Sequence, residues 1–383
     1  LAADTAVTER LIEEKPRDLS VYGLDKPVTA AFASSDGKEE SVEIGNKTPT
    51  GDGYYVRKGG TESVYTLDSY KGDQFVSSKF DLLSRNFYDS DDLAVENVTA
   101  LNFTRSGKVL FNSGKTADQW YVTSPLPEKR KADTESFPKF ISWLAAFKAS
   151  EFIEENPSDL GKYGLDDPSY VFDYTIDGRD YTLKLGGKID SDYYGMMEGY
   201  PYVFKVDSSD LNFVDLPLID LIETFAYIPA IYDVEKLVIE IDGRTDELLI
   251  NANKEDSSKD EFYLNGKKIE GDDNITLFRR YYQGAIGIAG DKLDLDAKPS
   301  GGAEIRMTYT MREAKPDKAV VVELIPTNDG YGYYLMKNGE YSGMVMGNRQ
   351  LDDPSMGIRP YYKSLIEGLS KTSSETSSET SSD

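Results

Sequence analysis

The sequence predicts an α+β fold, built as a tandem repeat of antiparallel β-sheet units that are each covered by helices. Three observations predict it: a ten-residue phrase occurs twice, the strand-like runs alternate apolar and polar residues, and amphipathic helical runs follow them. Such alternation is typical of antiparallel sheets that have one buried and one hydrated face. A chain of 383 residues is too long for one ordinary core, so we expect several units.

The repeat begins with "DLSVYGLDKP" at residues 18–27 and returns as "DLGKYGLDDP" at residues 159–168. The match continues from "DGKEESVEIGNK" to "DGRDYTLKLGGK", and then from one Tyr-Tyr pair to another. Matches that recur in the same order indicate duplication of a whole unit.

We therefore divide the chain into repeat unit 1 (1–151), repeat unit 2 (152–290), a partial third unit (291–370) and a tail (371–383). The partial unit contains four strand-like runs with Asn-Asp-Gly and Asn-Gly turns, followed by a helical run at 360–369. The tail is rich in Ser, Thr and Glu, and we expect it to be disordered. The first residues resemble the end of repeat unit 1, so we expect the chain to begin inside a unit, with the preceding half-unit missing.

Each repeat unit is expected to have two halves. In unit 1 the first half has strands near 28–34, 40–46, 54–58 and 63–68 and a helix at 79–85, and the second has strands near 97–105, 108–112 and 119–123 and a helix at 134–148. The longer helix carries one apolar stripe that can cover a sheet: Phe137, Phe140, Ile141, Leu144 and Phe147.

The repeated phrase is interpreted as a joint that leads from a short capped helix into a strand. In its second copy, Asn156 is expected to cap the helix, Leu160 and Leu165 to form the apolar pair at its end, and the proline to impose extended structure. The glycine fits the left-handed position that terminates a helix. The joint residues are Gly23, Leu24 and Pro27 in the first copy and Gly164, Leu165 and Pro168 in the second.

Composition removes several kinds of chemistry. The chain has no cysteine and no histidine, which excludes disulfides, thiolate nucleophiles and Ser-His catalysis. Its formal charge of −25 disfavours nucleic acid as a partner. Paired glutamates at 13–14 and 154–155 suit a hydrated face better than glycoside hydrolysis, and the acidic runs at 89–92, 190–192 and 294–296 lack a calcium loop. We therefore predict no catalytic residue, no metal and no cofactor.

Differences between the copies direct the search for a binding site. The loop "NKTPTGDGYYV" at residues 46–56 is two residues longer than its counterpart, and the chain contains 27 tyrosines. An exposed row of tyrosines can bind a glycan or a partner protein, whereas tyrosines on sheets commonly pack half-buried. The candidate binding residues are Thr50, Asp52, Tyr54, Tyr55, Tyr193 and Tyr194.

The repeated phrase, the following Gly-x-Lys block and the Tyr-Tyr block resemble the bacterial domain-of-unknown-function 4340 family, over most of residues 11–290. The resemblance implies an extracytoplasmic body behind an N-terminal membrane segment, often encoded beside gliding-motility-type ABC transporter genes. It implies no catalytic residues, because none are established for the family. We expect membrane attachment only through an N-terminal anchor that the present sequence lacks.

These observations lead to a functional hypothesis. We expect a non-enzymatic extracytoplasmic interaction or scaffold module, associated with an ABC-type transport or cell-envelope system. Its partner would be an ABC transporter membrane subunit or an envelope glycan. The alternatives are a carboxylate-dependent hydrolase and a glycan- or ligand-binding protein of the envelope.

Overall fold

The computed structural model describes residues 9–33, 39–88, 95–209, 211–312 and 318–379. Within these ranges the fold is α+β, with three antiparallel sheets and four α-helices.

The strands are short to medium in length, and all the strand pairs described below are antiparallel. In chain order they are β1 (Arg10–Glu13), β2 (Val28–Ala33), β3 (Glu39–Lys47), β4 (Gly53–Lys58), β5 (Val64–Asp68), β6 (Val98–Arg105), β7 (Lys108–Thr116), β8 (Gln119–Ser124), β9 (Arg130–Lys131), β10 (Glu151–Glu155), β11 (Tyr170–Ile176), β12 (Arg179–Ile189), β13 (Asp192–Met197), β14 (Tyr202–Val206), β15 (Val234–Ile241), β16 (Arg244–Asn251), β17 (Glu261–Leu264), β18 (Lys267–Lys268), β19 (Lys292–Leu293), β20 (Ile305–Met311), β21 (Ala319–Pro326), β22 (Gly332–Lys337) and β23 (Glu340–Gly347). The helices are α1 (Ser69–Val76), α2 (Phe137–Ala145), α3 (Asp272–Ile286) and α4 (Ile358–Glu379).

The chain divides into two compact units. The first comprises residues 1–87, 148–156 and 202–205. It contains a five-stranded sheet, in the order β1-β5-β4-β3-β2, and the pair β10–β14. Ile44, Tyr54, Val56 and Leu67 are buried on one face of the sheet, and Phe75 of α1 packs against them.

The second compact unit comprises residues 88–147, 157–201 and 206–383 and contains two runs of strands. One run has the order β13-β12-β11-β6-β7-β8-β9, and the other is β18-β17-β16-β15-β20-β21-β22-β23-β19. Helix α2 covers the first run, where the ring of Phe140 lies 5.2 Å from that of Phe103. Helix α3 covers the second run, where Phe278 stacks 4.7 Å from Phe262. Burial of these aromatic rings, together with the aliphatic side chains around them, stabilises both layers.

The sheets do not coincide with the repeat units that the sequence predicts. Strand β6, from repeat unit 1, pairs with β11 of repeat unit 2, and β15 of repeat unit 2 pairs with β20 of the third segment. At these two seams Phe103 lies opposite Phe172, and Leu237 lies opposite Tyr309. One of these sheets therefore crosses the predicted boundary at residue 151, and the other crosses the boundary at residue 290. Pairing between distant strands depends on which apolar side chains meet across the strands, not on the period of the sequence repeat.

Two predicted helices have different bounds in the structure. In place of a helix at 79–85, helix α1 begins directly after β5, where the Asp68 carboxylate accepts a hydrogen bond from the Tyr70 N–H. Residues 79–82 form only a short 3-10 helix, and Ser78 and Asp81 cap it reciprocally. The helix predicted at 134–148 spans only Phe137–Ala145. It begins later than predicted because the Asp133 carboxylate accepts hydrogen bonds from the backbone N–H groups of Glu135 and Ser136, which form a turn before the helix.

The C-terminal helix also differs from the prediction. Helix α4 continues through residues 371–379, part of the tail for which the composition predicts disorder. Adding one residue to an existing helix gains a backbone hydrogen bond without a new nucleus, so a helix formed on the core extends into a polar segment. Residues 380–383 lie outside the described residues.

The first copy of the joint is a 3-10 helix, Leu19–Tyr22, that ends at a left-handed glycine. The Asp18 carboxylate accepts a hydrogen bond from the Ser20 N–H, and Gly23 has a φ of 69°. The Leu24 N–H donates to the Leu19 carbonyl over 2.9 Å. This six-to-one bond belongs to the helix-ending motif that the glycine and the following leucine predict. Pro27 then directly precedes β2.

The second copy has the same ending and a different beginning. Gly164 has a φ of 65° after the 3-10 helix Gly161–Tyr163, and the Leu165 N–H donates to the Leu160 carbonyl over 3.0 Å. Asn156 is not the cap, since it has a φ of 50° directly after β10. The Asp159 side chain accepts from the Gly161 N–H instead. A carboxylate two residues before the turn reaches its free N–H groups, which the more distant Asn156 cannot do.

Candidate functional site

The joint in each copy rests on the glycine of the Gly-x-Lys block. A Cβ atom added at Gly45 would lie 2.1 Å from the carbonyl oxygen of Tyr22, and one added at Gly186 would lie 2.3 Å from that of Tyr163. Side-chain carbons do not approach a backbone oxygen so closely. The glycines therefore allow the turn to lie directly on β3 and β12.

The second tyrosine of each Tyr-Tyr block packs on the tyrosine of the joint. The rings of Tyr55 and Tyr22 lie 4.9 Å apart at 68°. The rings of Tyr194 and Tyr163 also lie 4.9 Å apart, at 67°. Edge-to-face packing of this kind is favourable between aromatic rings. The phrase, the glycine block and the Tyr-Tyr block thus form one packing module, which occurs in both copies.

The first tyrosine of each block also has local partners. Tyr54 is buried, and its hydroxyl donates to the Asp73 carboxylate over 2.5 Å. Lys47 pairs with the same carboxylate at 3.0 Å and lies 5.2 Å from the Tyr54 ring centroid. The hydrogen bond from Tyr54, followed by that from Lys47, holds the pKa of Asp73 below its usual value.

The counterpart of Tyr54 is Tyr193, which has a similar environment. Its ring lies 5.7 Å from that of Tyr170 in an edge-to-face arrangement, and Lys188 lies 5.5 Å from its centroid. The Tyr170 hydroxyl donates to Asp215 over 2.9 Å. The lysine over the first tyrosine of the Tyr-Tyr block therefore recurs in both copies.

Thr50 and Asp52 organise the longer loop between β3 and β4. The hydroxyls of Thr50 and Thr48 donate to one oxygen of the Asp52 carboxylate over 2.6 Å and 2.8 Å. These bonds, with that of Thr50 the stronger cause, lower the pKa of Asp52. A general acid needs a pKa raised towards neutrality, so this carboxylate is suited to turn stabilisation rather than proton donation.

The six predicted site residues therefore fall into two sets. Thr50, Asp52, Tyr54 and Tyr55 lie in the first compact unit, and Tyr193 and Tyr194 lie in the second. Within each set the side chains bind neighbouring residues in turns and aromatic pairs. Tyr54 is buried, and Tyr55, Tyr193 and Tyr194 are half-buried in ring contacts, which is the packing use that the sequence left open. Their role in binding stays a prediction.

A buried ionic cluster in the third sheet was not predicted. Asp246 is 2% exposed and accepts hydrogen bonds from the Tyr281 hydroxyl at 2.7 Å and from Arg244 Nε at 3.0 Å. Burial, and then the nearby Asp246 charge, raises the pKa of Tyr281. The sequence did contain a sign of this burial. Side chains alternate between the two faces of a strand, so Asp246 lies on the same face as the apolar Leu248 and Ile250.

The same cluster anchors α4. The Arg244 guanidinium lies 3.8 Å from the ring centroid of Tyr362 in that helix. Arg359 donates from two nitrogens to the two oxygens of Asp242, at 2.8 Å and 3.0 Å, and it also pairs with Asp352. Paired guanidinium–carboxylate contacts of this kind fix orientation, so the cluster positions the helix over the sheet end.

Among the described residues, no group of three or more carboxylates comes together in a way that could hold a metal ion. The acidic run at 89–92 lies outside the described residues. Within the same ranges, no helix is long and apolar enough to cross a membrane.

The fold defines a class of α+β protein. Groups of antiparallel strands share sheets across the repeat boundaries, and helices cover one face of each shared sheet. Within that class, residues 2–168 and 139–275 each match the family described as Domain of unknown function (DUF4340), so the chain belongs to that family. No curated protein and no solved structure matches the chain.

Proposed function

We propose that this protein is a non-enzymatic interaction or scaffold module outside the cytoplasm, serving an ABC-type transport or cell-envelope system. The observation that carries the proposal is that the candidate polar and aromatic side chains stabilise the scaffold itself. Asp52 and Asp73 have lowered pKa values because they accept hydrogen bonds, which opposes a role as general acid. A β-rich scaffold of this kind offers surfaces and strand edges for partners.

We further propose that the scaffold has two full copies and a partial third. The pairs β1–β5, β10–β14 and β19–β23 are equivalent in this interpretation, as are the strand runs β4-β3-β2, β13-β12-β11 and β22-β21-β20. Repetition of one strand group gives repeated edges and faces, a common basis for extended binding surfaces.

The proposed partner is an ABC transporter membrane subunit or an envelope glycan, and the proposed location is extracytoplasmic with an N-terminal membrane anchor. Support for these points comes from the implied properties of the family. The acidic charge of −25 favours a partner surface that is neutral or basic.

The proposal is tested by photo-crosslinking in cells of the natural source. A photoreactive amino acid replaces one exposed tyrosine at a time in the full protein. Tyr70 and Tyr331, which are 76% and 77% exposed, are suitable positions because their replacement leaves the core intact. Capture of a transporter membrane subunit is expected. A buried position, Tyr309, provides the matched control that captures nothing from outside.

A parallel assay addresses the hydrolase alternative. The purified protein is incubated with cell-wall glycans, and release of reducing ends is measured. We expect no turnover. Turnover that one Asp or Glu substitution abolishes would overturn the non-enzymatic proposal, whereas a rise in melting temperature with glycan and without turnover would favour glycan binding.

A further inference from the structure

A groove lies between helix α3 and the segment 228–231, which precedes β15. It has a volume of about 410 Å³, and six of the eight residues that line it are apolar or aromatic. These six are Ile228, Pro229, Ala230 and Ile231 of the segment and Tyr282 and Ile286 of the helix. A volume of this size with a mostly apolar lining is typical of sites that bind small molecules.

Hydrogen bonds from buried parts of the fold hold the backbone of this segment. The hydroxyl of the buried Tyr282 donates to the carbonyl of Pro229 over 2.9 Å. Farther along the chain, Arg312 Nε donates to the carbonyl of Tyr232 over 3.0 Å. Because its wall is fixed at both points, the groove is formed in the free protein, and a ligand does not have to order it.

Apolar side chains along the groove keep part of their surface exposed to water. Ile228 is 50% exposed, and Ile231 and Ile286 are half-buried. Removing this surface from water would favour the binding of an apolar chain. Eight lining residues are far fewer than the roughly 20–30 residues per side of a standard protein–protein interface, so the groove suits a small molecule better than a protein.

Of the eight lining residues only Arg279 carries a charge. Its Nη2 donates to the Asp260 carboxylate, and its guanidinium lies 5.1 Å from the ring centroid of Phe262. Asp260 is held in turn, since its other oxygen accepts from the Asn253 N–H over 2.6 Å. Among the described residues, Asp260 is the one hydrogen-bond partner of this guanidinium, so the N–H groups of Nε and Nη1 can still donate. A guanidinium that is fixed in place with unused N–H groups favours a carboxylate ligand.

We propose that the groove binds a free single-chain amphiphile with a carboxylate head, a molecule of the fatty-acid class. The head pairs with Arg279, and the acyl chain lies along Ile228 and Ile286. Arg279, Gln283 and Ile286 follow one face of α3 at spacings of four and three residues, over about 10 Å, so head and chain contact the same helix face. The site goes beyond the proposed contact with a partner, and an anionic bilayer is disfavoured as the source of the ligand by the charge of −25.

The probe is decanoate, and its binding to the full chain is measured by calorimetric titration at low ionic strength, below the concentration at which it forms micelles. Ile228→Ser removes apolar surface from the groove. Val109→Ser is the matched control, because Val109 is 52% exposed on β7 and does not line the groove. We expect one saturable site, weakened about fivefold to tenfold by Ile228→Ser and unchanged by Val109→Ser.

The charge of the head is tested at Gln283, an exposed residue one turn after Arg279 in α3. Gln283→Glu should weaken the binding of decanoate about threefold, and Gln283→Lys should strengthen it by a similar factor. Decanol, which has the same chain and no charge, should bind both variants equally. These substitutions leave the pair of Arg279 and Asp260 in place, so the fold is retained.

Three results would overturn the proposal: no saturable binding of decanoate, equal losses in Ile228→Ser and Val109→Ser, or a decanoate affinity that does not respond to the charge at residue 283. Co-sedimentation with phosphatidylglycerol vesicles in the absence of decanoate binding would assign the groove to a membrane surface and would also overturn it.

Discussion

Replacing Gly164 by alanine tests whether the joint is held by a close backbone approach. Gly164 has a φ of 65°, and a Cβ atom there would lie 2.7 Å from the backbone nitrogen of Gly187. A left-handed backbone costs alanine roughly 1–2 kcal/mol. Crowding against backbone that must shift adds roughly 1–3 kcal/mol. We therefore expect Gly164→Ala to lower the free energy of unfolding by about 2–5 kcal/mol.

A second glycine provides the matched control. Gly178 has a φ of 73° in a hairpin turn, and no atom lies within 4 Å of a Cβ atom placed there. Gly178→Ala should therefore cost only the left-handed strain, about 1–2 kcal/mol. Urea unfolding is followed by the fluorescence of Trp143, which lies in α2, and of Trp120, which packs against Phe137 of the same helix. If Gly164→Ala and Gly178→Ala destabilise equally, the close approach does not hold the joint and the reasoning is refuted.

Three further predictions concern the charged clusters. Asp246→Ala should lower the free energy of unfolding by about 2–4 kcal/mol in urea titrations, because it leaves the buried Tyr281 hydroxyl without its acceptor and removes one of the two carboxylates that pair with the half-buried Arg244. Tyr281→Phe should cost only about 1 kcal/mol, and equal costs would contradict this. The pKa of Asp73, measured by carbon NMR, should lie below 3.8 and rise in Tyr54→Phe. Since the folded value is the lower one, Asp73 stabilises the fold above about pH 3.8 and this contribution is lost as the pH falls; an unchanged pKa in Tyr54→Phe would disprove the coupling. Arg359→Ala should speed amide exchange in the first turn of α4, with a cost of about 1 kcal/mol or less because the pair is partly exposed; unchanged exchange would show that the pair does not hold the helix.

The local geometry of the joint follows from its sequence. Gly23 and Gly164 are the residue type that adopts positive φ without a steric cost, and the leucine after each makes the bond that closes the turn. Strands β2 to β5 lie close to their predicted positions, because alternation and turn residues act within a few positions of the chain. The misplaced cap at Asn156 shows the limit, since several polar residues near a turn compete to cap it.

The contacts that each tyrosine makes could not be predicted from nearby residues. Tyr54 and Tyr55 are adjacent in sequence, yet one reaches Asp73 and the other reaches Tyr22. Composition shows only that tyrosine suits both packing and binding. Which role each one has depends on partners that are 19 and 33 positions away, and only the folded sheet brings them together. Asp246 is a similar case, because its strand parity places it on the buried face but cannot name Tyr281 as its partner.

The sequence by itself determined the α+β class, the repeat, the left-handed joint and the absence of cysteine and histidine chemistry, since each depends on residue type or on short-range order. Only the tertiary structure decided that β6 pairs with β11 and β15 with β20, which places the sheets across the repeat boundaries. Strand pairing at long range is chosen by which apolar edges and faces can be buried together, and that choice is made by the folded chain as a whole.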